Sequence, residues 1–142
     1  METDIKSELQ RITGATPLIR KADGWWMAAP ELDVATTARL MQVWGARLST
    51  MTAAVLPCDE VEVIYHYYLD HDAYNFKVIT QHNTLPSISS ILPAADWIER
   101  EIQDLYRITF TNHPHPRRLI LPAQMEPGLF RQPGGAAEKT RR

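Results

Sequence analysis

DWIEREIQDLYRITFTNHPHPRRLIL, residues 96–121, holds a charged amphipathic helix, a short apolar strand, a proline-punctuated His/Arg turn and a closing apolar run. Pro93 suits a first helical turn, where a missing N–H costs little, and Asp96 near that end complements the helix dipole. At roughly 100° per residue, Trp97, Ile98, Ile102, Leu105 and Tyr106 share one half of the helix surface, while Asp96, Glu99, Arg100 and Gln103 share the other. The pattern predicts that Trp97, Ile102 and Leu105 are buried against a sheet and that Glu99 and Gln103 are exposed. Arg100 stands four residues from both Asp96 and Asp104, the spacing of helix-surface ion pairs. Glu101 falls inside the apolar arc, so its carboxylate needs a partner, and Arg117 or Arg118 from the turn would supply a bidentate one.

Upstream, Ile5, Leu9 and Ile12 have helical spacing. Segments 16–21 and 25–29 flank Asp23-Gly24, a two-residue hairpin signal. Asp33 can cap a helix running to about Leu48, with Val34, Ala38, Met41, Trp44 and Leu48 as its stripe and Gly45 marking close approach to a sheet. A short apolar strand follows at 51–56. In VEVIYHYYL, residues 61–69, Val61, Val63, Tyr65, Tyr67 and Leu69 alternate onto one face. The chain then turns back into 75–81, and 82–92 reads as a polar loop. The order predicts an α+β fold: a mainly antiparallel sheet with two longer helices packed on one face, one domain over 1–131. The tail 132–142, QPGGAAEKTRR, lacks periodicity and reads as disordered or partner-docking.

The chain has 142 residues, 44% of them hydrophobic, enough for one ordinary core. A net charge of −2 argues against a general nucleic-acid binder. One cysteine, Cys58, fits a reducing compartment. The polar, acidic start fits neither a signal nor a transit peptide, and no apolar run is long enough to span a membrane.

No self-contained catalytic set emerges. His113 and His115, with Glu101 or Asp104, could begin a metal site, but such sites need three or more convergent ligands. Glu99 and Glu101 point to different sides of the helix, so they do not form an acid–base pair. A structural turn, with His113 bonded to backbone, and an ion-pair network of Glu101 and Asp104 with Arg117 and Arg118 fit the pattern better.

The sequence Trp97-Ile98-Glu99-Arg100-Glu101, then Asp104-Leu105-Tyr106, Asn112-His113-Pro114 and Arg117-Arg118-Leu119, resembles the signature of the 30-kDa subunit family of respiratory complex I. The equivalent module occurs in energy-converting membrane-bound nickel–iron hydrogenases. Two positions depart from the family pattern: Arg107 replaces a usual glycine, and His115 a usual acidic residue. The resemblance implies a non-catalytic assembly subunit of an NADH:quinone oxidoreductase or a hydrogenase, without cofactor or cluster of its own. It would sit at the inner face of the cell membrane, docked on the large quinone- or nickel-site subunit beside iron–sulfur subunits. Glu99, Arg100, Glu101, Asp104, Asn112, His113, Pro114, Arg117 and Arg118 would form its structural and contact set. The short chain beyond the signature leans toward the hydrogenase branch. A small metal-dependent hydrolase and a free-standing protein-binding domain stand as the alternatives.

Overall fold

A computed structural model describes residues 2–14, 17–122 and 124–131. The elements are α1 (Glu2–Ile12), β1 (Ile19–Lys21), β2 (Gly24–Ala28), α2 (Val34–Val43), β3 (Arg47–Val55), β4 (Val61–Leu69), β5 (Asp72–Ile79), β6 (Thr84–Pro86), α3 (Ala95–Tyr106) and β7 (Thr109–Thr111). The five-stranded sheet has the order β1-β2-β5-β4-β3. All its neighbours are antiparallel except β2 and β5. β6 and β7 form a separate parallel pair. The fold is α+β with a mainly antiparallel sheet, as the sequence predicts.

The alternation in β4 sets the core. Val61, Val63, Tyr65, Tyr67 and Leu69 are all buried, in register with Tyr74, Phe76 and Val78 of β5 and with Met51 and Leu48 of β3. Ile5 and Leu9 of α1, Val34, Ala38 and Met41 of α2, and Ile102 of α3 join them in one apolar cluster. The other face of the sheet carries Thr52, His66, Asn75 and Trp26. There His66 Nδ1 meets Asn75 Oδ1 at 2.6 Å and His66 Nε2 meets Thr52 Oγ1 at 3.0 Å.

Several boundaries differ from expectation for local reasons. The first hairpin turns on Ala22-Asp23, and Gly24 opens β2, where a Cβ would lie 2.7 Å from the Ala73 carbonyl oxygen. Asp33 caps α2 as predicted, accepting the Thr36 N–H at 3.1 Å. The helix stops at Val43, because Gly45 takes φ +81° just beyond its end, a left-handed closing residue. Nothing lies within 4 Å of a Cβ placed on Gly45, so it marks no close approach. β3 consequently starts at Arg47, and the 82–92 loop contains β6. The predicted tail, 132–142, lies outside the described residues.

Candidate functional site

The row of α3 that meets the core is Ala95, Glu99, Ile102 and Tyr106, at i, i+4, i+7 and i+11. This corrects the predicted orientation. Ile102 is buried as expected, but Trp97 is 67% exposed, Leu105 and Gln103 are half-buried, Glu99 is 0% exposed and Glu101 is exposed. Two surfaces cover the helix: the sheet on one side, and the returning segment 112–131 on the flank formed by Asp96, Arg100, Gln103, Asp104 and Arg107. The sector around Trp97 and Glu101 faces water. Counting apolar residues along the helix cannot find such an arrangement, because it assumes a single buried stripe. The usable signal was Ala95, which lies on the same row as Ile102 and Tyr106 and places Glu99 between them.

Arg100, Gln103, Asp104 and Arg107 on the covered flank each hold a piece of backbone. Asp104, 3% exposed, accepts the N–H groups of Leu119, Ile120 and Leu121 on Oδ2 at 2.9, 2.7 and 3.2 Å. Its own carbonyl accepts the Gly128 N–H at 2.7 Å. Arg100 donates to the carbonyls of Arg117 and Arg118 at 2.9 and 3.1 Å and lies 4.0 Å from Asp96. Gln103 accepts the Phe110 N–H at 2.9 Å and reaches the Pro116 carbonyl at 3.5 Å. Arg118 donates to the carbonyls of Pro122 and Met125. Arg131, buried, ties the end of the segment to the Tyr106 and Asp59 carbonyls and to Asn83 Oδ1.

The expected Glu101 pair with Arg117 or Arg118 is therefore absent. Among the described residues Glu101 enters no ion pair, Arg117 is exposed, and Arg118 serves carbonyls. Asp104 likewise binds amides rather than arginine. The physical reason is supply: an irregular segment has no ladder partners for its N–H and C=O groups, so side chains from α3 provide them.

Glu99 lies at the bottom of this arrangement. Its Oε1 accepts the Ser87 hydroxyl at 2.6 Å and its Oε2 accepts the Ile88 N–H at 2.8 Å. Burial pushes its carboxyl up to about 7, opposed by these two hydrogen bonds and assisted slightly by Asp96. Among the described residues the hydroxyls of Tyr65 and Tyr67 are buried without hydrogen-bond partners. Burial, then the Glu99 charge, raises both phenols above their ordinary range. His113 comes from the Asn-His-Pro turn, its ring fully buried, with Nε2 3.1 Å from the Asp96 carbonyl and 3.6 Å from Glu99. His113 Nδ1 accepts the His115 N–H at 2.9 Å, which assigns the ring proton to Nε2. The expected backbone bond of His113 is thus present. His115 is exposed, with Nδ1 3.6 Å from Asp96. Asn112 takes φ +62° and is exposed, and Pro114 is exposed. Among the described residues no three His, Cys, Asp or Glu side chains are grouped to hold a metal ion.

Arg107, at the departure from the family pattern, has φ +53° and closes α3 in the left-handed conformation that glycine adopts freely. Its Nε donates to the Pro127 carbonyl at 3.3 Å. With Arg118 it borders an open depression between α3 and the returning segment.

The returning segment presents an apolar exterior. Ile120 (51%), Met125, Leu129 and Phe130 (56%) are exposed, and Trp97 is exposed on α3. Phe130 stacks edge-on against Tyr106 at 5.5 Å, which fixes its position. Ile120, Met125, Leu129 and Phe130 are the large apolar groups that the segment leaves in water, on a frame held by hydrogen bonds from α3.

The family profile of the respiratory-chain NADH dehydrogenase 30 Kd subunit matches residues 28–133. An NADH-quinone oxidoreductase subunit of Sinorhizobium medicae is 43% identical over 65 residues, 44% of this chain and 32% of that protein. An NAD(P)H-quinone oxidoreductase subunit of Prochlorococcus marinus is 51% identical over 49 residues, 32% of this chain and 28% of that protein. The matched region thus spans about a third of these relatives' length. Among solved structures, the trypsin-resistant fragment (1-134) of Nqo5 superposes with a TM-score of 0.63 at 19% identity, covering 81% of this chain and 99% of that one. A chain of the membrane-bound sulfane sulfur reductase, an archaeal respiratory membrane complex, gives 0.66 at 18% identity, covering 88% and 77%. Those two likenesses concern the fold.

Proposed function

Because the chain belongs to the respiratory-chain NADH dehydrogenase 30 Kd subunit family, we propose that it is a non-catalytic assembly subunit of a complex-I-type oxidoreductase. In this reading it docks on the large subunit that holds the quinone or nickel site. The observation that carries the reading is the use made of α3. Glu99, Arg100, Gln103 and Asp104 are engaged with backbone, and the segment they hold displays Ile120, Met125, Leu129 and Phe130 to solvent. Side chains so engaged shape and hold the segment, and its framed apolar exterior suits a partner surface. Asn112, Pro114 and Arg117 are exposed on the same segment, and in this reading they add to the contact surface, with buried His113 holding the turn in shape. No helix among the described residues is long and apolar enough to cross a membrane. In this reading attachment to the inner face of the membrane comes through partners. Residues 1–131 act as the docking domain and 132–142 as a further contact segment.

The test is assembly in the native host. Tagged full-length chain purified from membranes should carry the large subunit in equal amount. Ile120→Asp and Phe130→Ser, both at exposed positions, should leave the unfolding transition in place and reduce that recovery at least tenfold. Recovery without any oxidoreductase subunit, or undiminished recovery by both variants, refutes the proposal.

A further inference from the structure

We propose that β3 is a second docking edge, which receives an extended segment of a neighbouring subunit as a sixth strand of the main sheet. The inference rests on the subunit reading above but concerns a surface separate from the 112–131 segment.

The two edges of the sheet differ in length and in charge. β1 is three residues long and two of them are basic, Arg20 and Lys21, a common protection against unwanted pairing. β3 is nine residues long and forms the opposite edge. Its register shifts between Leu48 and Thr50, and beyond that shift Thr50–Val55 pair regularly with His66–Val61. The run Thr50-Met51-Thr52-Ala53-Ala54-Val55 contains no charge, proline or glycine. Among the described residues, none of the backbone hydrogen bonds outside helices and strand ladders involves residues 47–55. Thr50, Thr52, Ala54 and Val55 are exposed, although α3 packs against the strand. An edge of this composition, with no backbone partner beyond β4 among the described residues, is a template for strand addition.

Charge at the two ends describes the occupant. Exposed Arg47 stands at one end, and exposed Asp59 and Glu60 stand at the other. A fitting strand has about six uncharged residues, with an acidic residue toward Arg47 and a basic one toward Glu60. Size argues for a partner subunit over a second copy of this chain. Six residues at about 3.3 Å each offer about 20 Å of edge, a strip that at about 10 Å width buries on the order of 400 Å² over both partners, below the roughly 1,200 Å² of a stable free-standing interface. A strand from a subunit already held elsewhere pairs at high effective concentration.

Hydrogen exchange, followed by mass spectrometry on the tagged full chain both isolated and in the membrane-purified complex, tests this. The outward-facing amides within 50–55 should exchange at least tenfold more slowly in the complex, while those of β1 keep their rates. The double variant Thr52→Lys, Ala54→Lys should retain cooperative unfolding yet enter the complex several-fold less, whereas Thr52→Val should enter normally. Should the double-lysine chain fail to fold, the wild-type exchange comparison decides. Equal exchange of 50–55 in both states, with the chain present in the complex, overturns the docking edge and leaves the subunit reading standing. A chain that joins no oxidoreductase complex overturns both. A concentration-dependent dimer of the isolated chain with slowed 50–55 amides overturns the partner-subunit assignment in favour of a second copy.

Discussion

Replacing Glu99 by Gln should make the protein more stable at alkaline pH and leave it unchanged near pH 4.5. Glu99 is fully buried, and its carboxyl is raised from 4.5 to about 7, chiefly by burial. Because the folded value exceeds the unfolded one, folding takes up a proton between these limits. The stabilisation is therefore fully present below about pH 4.5 and is lost as pH rises through about 7. At about 1.4 kcal/mol per pH unit, the loss reaches about 3 kcal/mol by pH 8. The groups facing the carboxylate are the Ser87 hydroxyl, the Ile88 N–H, His113, Asp96 and the hydroxyls of Tyr65 and Tyr67. None is a fixed cation to offset the charge. Gln mimics the protonated acid: its carbonyl accepts the Ile88 N–H and its amide donates to the Ser87 oxygen. Urea unfolding of both proteins at pH 5, 6, 7 and 8 gives the difference directly. That difference should be small at pH 5 and grow to about 2–3 kcal/mol in favour of Gln at pH 8. A difference that does not change with pH, or a Gln variant weaker at every pH, would refute the reasoning.

Asp104→Ala should cost about 3 kcal/mol, because it strands three amide donors at 119–121, and should speed their exchange; unchanged exchange there would contradict the anchoring role. Ile102→Ala should cost about 2–5 kcal/mol in urea unfolding, and half-buried Leu105→Ala clearly less. An equal cost would place Leu105 in the core after all. Gly128→Ala should destabilise by more than about 1 kcal/mol, since Gly128 has φ +95° and an added Cβ would lie 2.6 Å from Arg107 Nε. Part of that cost should vanish in an Arg107→Gly background, so a double-mutant cycle should show coupling; strict additivity would leave only the backbone contribution.

The elements whose signal is local were legible in the sequence. The alternation in β4 depends only on which side chains suit a half-buried strand, and it placed five core residues correctly. Asp33 capping and the hairpin around Asp23 are likewise matters of a few adjacent residues. The signature in 97–119 was visible too, and with it the family. The tertiary structure decided how α3 is turned and what its charged residues hold. A helix covered on two sides has no single apolar stripe, so Trp97 and Glu99 exchanged their expected places. The partners of Asp104, Arg100 and Arg118 are main-chain groups of a segment without regular structure. Main-chain N–H and C=O groups are the same at every residue, so sequence carries no mark of which of them lack a partner. Only the path of the returning chain over α3 reveals that these residues support a surface rather than pair with one another.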